Sequence, residues 1–76
     1  MITEIGIVSG EILELLEGEF RPWSIREIQE HLDEPLDVVM MSVGWLLREK
    51  YLVENKGREL YVTLASDHAE ITVSHR

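Results

Sequence analysis

The chain has no cysteine among its 76 residues, which rules out both a disulfide framework and a thiolate zinc site. That composition fits a reducing interior such as the cytoplasm. No apolar run approaches the ~18 residues of a membrane span. Glu4 precedes every base, the wrong polarity for a signal peptide, so a cytoplasmic protein is the expectation. There is no internal repeat, no low-complexity tract and no linker rich in Gly, Ser or Pro. Basic residues are also scarce. Seven Lys and Arg face fifteen Asp and Glu, for a net charge of −8. Residues 1–47 hold ten acids against two bases, Arg21 and Arg26, whereas residues 48–76 are balanced. A protein that grips nucleic acid usually presents a basic field, because Lys and Arg release counterions from phosphate. Here the N-terminal two-thirds would repel it.

What remains is apolar: 45% of the residues, enough for one core in a chain near the lower size limit for folding alone. Ile5, Val8, Ile12, Leu15 and Leu16 form a stripe at 3.6 residues per turn, predicting a helix at about 4–17 with Glu4, Glu11, Glu14 and Glu17 solvated. Thr3 is its expected N-cap and Gly18 its stop. Gly6 and Gly10, four apart, would let another backbone pack close. Phe20 and Trp23 read as buried anchors in the connector that follows.

Ser24-Ile25-Arg26-Glu27 is a capping box, and Trp23 with Ile28 has hydrophobic-staple spacing. A second helix is therefore expected at 24–32, burying Ile25, Ile28 and Leu32. Asp33-Glu34-Pro35 breaks it and starts a third at 35–50, with Pro35 at the first helical position. A break this short is a helix-turn-helix connection. Two β-prone runs, Tyr51–Glu54 and Glu59–Leu64, flank Asn55-Lys56-Gly57-Arg58 and predict a hairpin turning there. The fold class is α+β: a winged helix-turn-helix, three helices followed by a β-hairpin wing. The domain spans 1–64 and the tail 65–76, where Ile71-Thr72-Val73 is a candidate third strand.

Within the third helix, Gly44-Trp45-Leu46-Leu47-Arg48-Glu49 resembles the Gly-Trp-Leu-x-Arg-Glu signature of a family of small stand-alone prokaryotic winged helix-turn-helix domains of unknown function. Ile5-Gly6, Gly10-Glu11-Ile12 and Leu16 agree with its start, and the resemblance covers roughly residues 4 to 64. It implies the fold and carries over no functional residues.

Catalysis is rejected. His31, His68 and His75 lack helix-spaced ligand partners. Ser66, Asp67 and His68 are neighbours on a tail and cannot converge as a triad. Gly6 and Gly10 lie inside a helix pattern, not in a phosphate-cradling loop after a strand. No metal, cofactor or small-molecule substrate is inferred.

The binding surfaces are more informative. In the third helix Leu36, Val39, Met40, Val43, Leu46 and Leu47 are the expected core. Asp37, Val38, Met41, Ser42, Trp45, Arg48 and Glu49 are expected opposite. A recognition helix reads bases with Arg, Lys, Asn or Gln, and this face holds one base and two acids. Val38, Met41 and Trp45 form a second apolar stripe instead. Either the hairpin or tail covers it, Trp45 more readily than Val38, or it is an interface for a protein partner or a second copy. Arg48, Lys50, Lys56 and Arg58 are the candidate nucleic-acid contacts. Glu49, Glu54 and Glu59 interleave with them, so mixed charge on a solvated hairpin is the favoured reading. The composite expectation is a non-catalytic module acting through protein contacts, with DNA-binding regulation through the wing and helix-turn-helix as the alternative.

Overall fold

Seventeen residues of the first amphipathic stretch form helix α1 (Ile2–Gly18) in a computed structural model that describes residues 2–55, 57 and 59–65. Val8, Ile12 and Leu16 are buried along one side, with Ile5 and Leu15 half-buried at its margins. Thr3 lies within the helix instead of capping it, and Gly18 is its last residue. Gly6 and Gly10 face outward, and a Cβ at either would meet nothing within 4 Å. No described backbone therefore uses the approach they were expected to allow.

The connector folds back through a two-residue strand, β1 (Trp23–Ser24), into helix α2 (Ile25–Leu32). Trp23 is buried, but Phe20 is 63% exposed, contrary to the expected pair of anchors. Trp23 satisfies its indole by donating Nε1–H to the Glu19 carbonyl at 2.9 Å, which leaves Phe20 on the outside of the bend. Ser24 closes the capping box: its Oγ accepts from Glu27 N–H at 3.0 Å, and Glu27 Oε1 accepts from Ser24 N–H at 2.9 Å. The Ser24 amide, and after it the Arg21 guanidinium, hold the Glu27 carboxyl below the ordinary glutamate range. These bonds satisfy two donors that a helix start otherwise leaves orphaned.

Asp33 ends α2 in the left-handed region (φ 55), its N–H donating to the Gln29 carbonyl. Pro35 stays extended (ψ 142), so helix α3 begins at Leu36 with Pro35 as its N-cap, one position from the expected place. The α3 helix ends at Arg48, short of the expected Lys50. Lys50 turns left-handed (φ 68) and donates to Leu47 O, while Tyr51 N–H reaches Leu46 O. These two bonds make a Schellman motif with lysine where glycine is usual. The turn stacks Tyr51 on Trp45, ring centroids 6.2 Å apart.

Strands β2 (Leu52–Asn55) and β3 (Tyr61–Leu64) form the hairpin, and the antiparallel order is β1-β3-β2. The third strand described is thus β1, pairing Trp23 with Val62 and Ser24 with Tyr61. Ile71–Val73, the expected strand, lies outside the described residues, as do Lys56 and Arg58 at the turn. Leu52 faces Leu64 across β2–β3, and both sides of that pair are buried. Ala65 extends the hairpin by donating to the Tyr51 carbonyl at 2.9 Å.

Helix α3 is central to the core and packs against α1, α2 and β2. Leu46 is fully buried there, among Ile12, Leu16, Ile28, Val39, Val43, Leu52 and Val62. Truncating it removes apolar burial and leaves a cavity. Leu46→Ala is therefore expected to cost about 2–5 kcal/mol, measured by urea unfolding. In a domain this small that is a large share of the total, and a midpoint unchanged from wild type would contradict this core.

Candidate functional site

Two places gather chemistry on the described surface: a cleft beside Trp23 and the outer face of α3. In the cleft, Arg21 lies over the Trp23 ring, its guanidinium carbon 3.8 Å from the centroid. Nη1 donates to the Pro22 carbonyl at 2.7 Å and to Glu27 Oε1 at 3.2 Å, while Nε donates to Glu19 Oε2 at 3.3 Å. His31 meets the Trp23 ring edge-on at 5.7 Å, and Glu30 completes the rim. Each of these contacts has an internal purpose. Cation–π contact and paired carboxylates fix the bend that feeds β1 into the sheet and starts α2. Among the described residues, no three His, Cys, Asp or Glu side chains converge as metal ligands.

The α3 face has no such internal account. Its buried arc is Val38, Val39, Ser42, Val43 and Leu46. Ser42 belongs there because its small side chain lets α1 approach. Its Oγ–H donates to the Val38 carbonyl at 2.8 Å, with the Ile5 carbonyl of α1 at 3.4 Å. Ser9, on the facing side of α1, is buried too, and its hydroxyl finds no partner among the described residues. Small residues on both helices bring the backbones together, and this sets how α3 is rotated.

That rotation differs from expectation by about 70° of helical arc at 3.6 residues per turn. Val38, the expected marker of an interface, is only 5% exposed, and Ser42 is buried with it. Met40 and Leu36, expected in the core, are 55% and 47% exposed. Met41 and Trp45 do lie on the surface, each at 46%. Tyr51 covers part of Trp45, so the start of the hairpin shields one side of that ring and leaves Met41 open. Asp37, Gly44 and Arg48 complete the outer face. Asp37 Oδ1 accepts from the Val38 N–H at 2.8 Å, which anchors the carboxylate in the first turn. Arg48 is exposed in the last turn and makes no ion pair among the described residues.

The strip therefore reads, from one end to the other, as acid, two methionines, a glycine and a base, flanked by Leu36 and Trp45. Of the candidate nucleic-acid residues, Arg48 is exposed in the last turn of α3 and Lys50 is exposed two residues on, in the left-handed turn that follows it. Lys56 and Arg58 lie outside the described residues. Sequence reasoning missed Met40, Leu36 and Gly44 as surface groups. The available signal was size: Val38, Val39, Ser42 and Val43 are compact and suit a close crossing, whereas Leu36, Met40, Met41 and Trp45 are long or bulky. No helix among the described residues is long and apolar enough to cross a membrane.

In the comparison with known families, a model described as "Winged helix-turn-helix domain (DUF2582)" matches residues 1–64. Among curated proteins no match is found.

The inward and outward assignments on α3 are directly separable. Val38→Glu forces a carboxylate into the core without a partner and is expected to cost more than about 3 kcal/mol. Met41→Glu, at low micromolar protein, is expected to change stability by about 0.5 kcal/mol or less. Chemical denaturation of the two variants checks this, and a reversed order would restore the rotation first expected.

Proposed function

The chain belongs to the winged helix-turn-helix family DUF2582, and from that premise we propose that it is a non-catalytic regulatory or adaptor module that engages a protein through the outer face of α3. Winged helix-turn-helix domains in general bind DNA or protein, so the composition of this face decides between the two. The observation that carries the proposal is the exposure of Leu36, Met40, Met41 and Trp45 on the helix that a DNA-binding helix-turn-helix inserts into the major groove. Methionine contributes apolar area on an unbranched, adaptable chain, which suits a protein contact. It offers no bidentate hydrogen bond to a base edge, as Arg, Asn or Gln would. Asp37 stands in the first turn, where a phosphate would otherwise find the helix dipole favourable. A cytoplasmic setting is part of the same proposal.

DNA binding is the second reading, favoured by the fold and by Arg48 and Lys50 at one end of α3. Against it stand the ten acids of residues 1–47 and a face with no Asn or Gln.

A salt-resolved titration with generic duplex DNA separates the readings. At physiological salt the expected binding is no tighter than about 10⁻⁵ M, steeply salt-dependent and indifferent to sequence. Lys56→Glu combined with Arg58→Glu is expected to remove what remains. Tight, sequence-dependent binding at physiological salt that survives this double change would make the protein a DNA reader and overturn the proposal.

A further inference from the structure

The outer face of α3 is complementary to itself. Asp37 and Arg48 lie on one side of the helix about three turns apart, roughly 16 Å along the axis. Met40, Met41 and Gly44 fill the stretch between them. An antiparallel copy of the same helix, related by a two-fold axis near the midpoint, brings each Asp37 to the other chain's Arg48 and lays the methionines across the centre. One patch serves both partners, as in any two-fold interface.

Gly44 is the second, independent observation. It sits mid-helix on the exposed side, where glycine weakens a helix, and a Cβ there would meet nothing within 4 Å. No contact within the described chain explains it. A second helix packed on this face does, because in the register that pairs Asp37 with Arg48 the missing side chain leaves room for the other chain's Met41. The helix dipole alone accounts for the signs of Asp37 and Arg48, but not for a glycine and two exposed methionines between them.

We propose that the partner on this face is a second copy of the same chain, the two α3 helices crossing antiparallel between Met41 and Gly44 with reciprocal Asp37–Arg48 ion pairs. This rests on the protein-contact reading above and names the occupant.

The test is sedimentation equilibrium on the full chain, from micromolar to millimolar protein. Wild type is expected to associate to a dimer and no further. Asp37→Arg or Arg48→Asp alone places like charges opposite each other twice and should raise Kd about tenfold. The double swap, Asp37→Arg with Arg48→Asp, should return it to within about threefold of wild type. Gly44→Glu should leave only monomer. Because its Cβ enters open space and the carboxylate stands one turn before Arg48, the monomer should melt no lower than wild type, which separates a blocked interface from a damaged fold. A wild-type protein monomeric at millimolar concentration overturns the proposal, as does a dimer that survives Gly44→Glu. Neither result makes the protein a DNA reader, so the broader reading stands or falls on the duplex titration.

Discussion

The close crossing of α1 and α3 is the contact from which the other features follow. It depends on small side chains: Ser9 on one helix, and Ser42 with Val38, Val39 and Val43 on the other. Ser42 keeps its hydroxyl satisfied against its own helix while the two backbones draw near. Among the described residues Ser9 has no such partner, and a buried unsatisfied hydroxyl costs about 1–3 kcal/mol. The crossing must return at least that much through the apolar side chains it closes over. Once α3 is committed to α1, Leu46 is carried to the place where α2 and β2 can both reach it. The outer arc is then what a helix apolar on nearly all sides has left over.

A separate clamp fixes the remaining geometry. Trp23 belongs to the sheet through Val62, to the bend through the Glu19 carbonyl, and to Arg21 through its ring face. Arg21 in turn holds Glu27, which completes the Ser24 cap. One chain of contacts thus runs from the central strand β3 to the first turn of α2 and orients the helix-turn-helix against the wing. It also commits Arg21, one of the two bases of residues 1–47, to contacts that hold the fold together.

Much of this was legible in the sequence. Three helices, the Ser24 cap, the short break at Asp33–Pro35 and the hairpin follow from local chemistry, because caps, turns and periodicity are short-range signals. The boundaries of α3 were less so. Pro35 remains extended, and the helix stops when Lys50 adopts a left-handed conformation that nothing about lysine announces. The rotation of α3 was the largest departure, since hydrophobicity cannot orient a helix whose two sides are both apolar. Val38 and Met41 look alike on a hydropathy scale but differ in what they allow: a compact branched residue fits the crossing, and a long thioether does not. The strand from Trp23–Ser24 was hidden for another reason. Two residues are too few to show alternation, and their pairing with β3 is a long-range event.

The charge distribution and the shape of the face point the same way. An acidic chain with its exposed apolar strip on the helix-turn-helix surface is better suited to another protein than to phosphate. The most direct measurement is NMR of methyl-labelled protein, following the ε-methyl resonances of Met40 and Met41 during dilution and during titration with duplex DNA. Docking of a second copy on α3 predicts that both resonances shift with protein concentration and that the Ile12 and Val62 core methyls do not, and the broader protein-contact reading predicts that duplex at physiological salt leaves all four in place. Methionine signals that ignore concentration but move on adding duplex would contradict both.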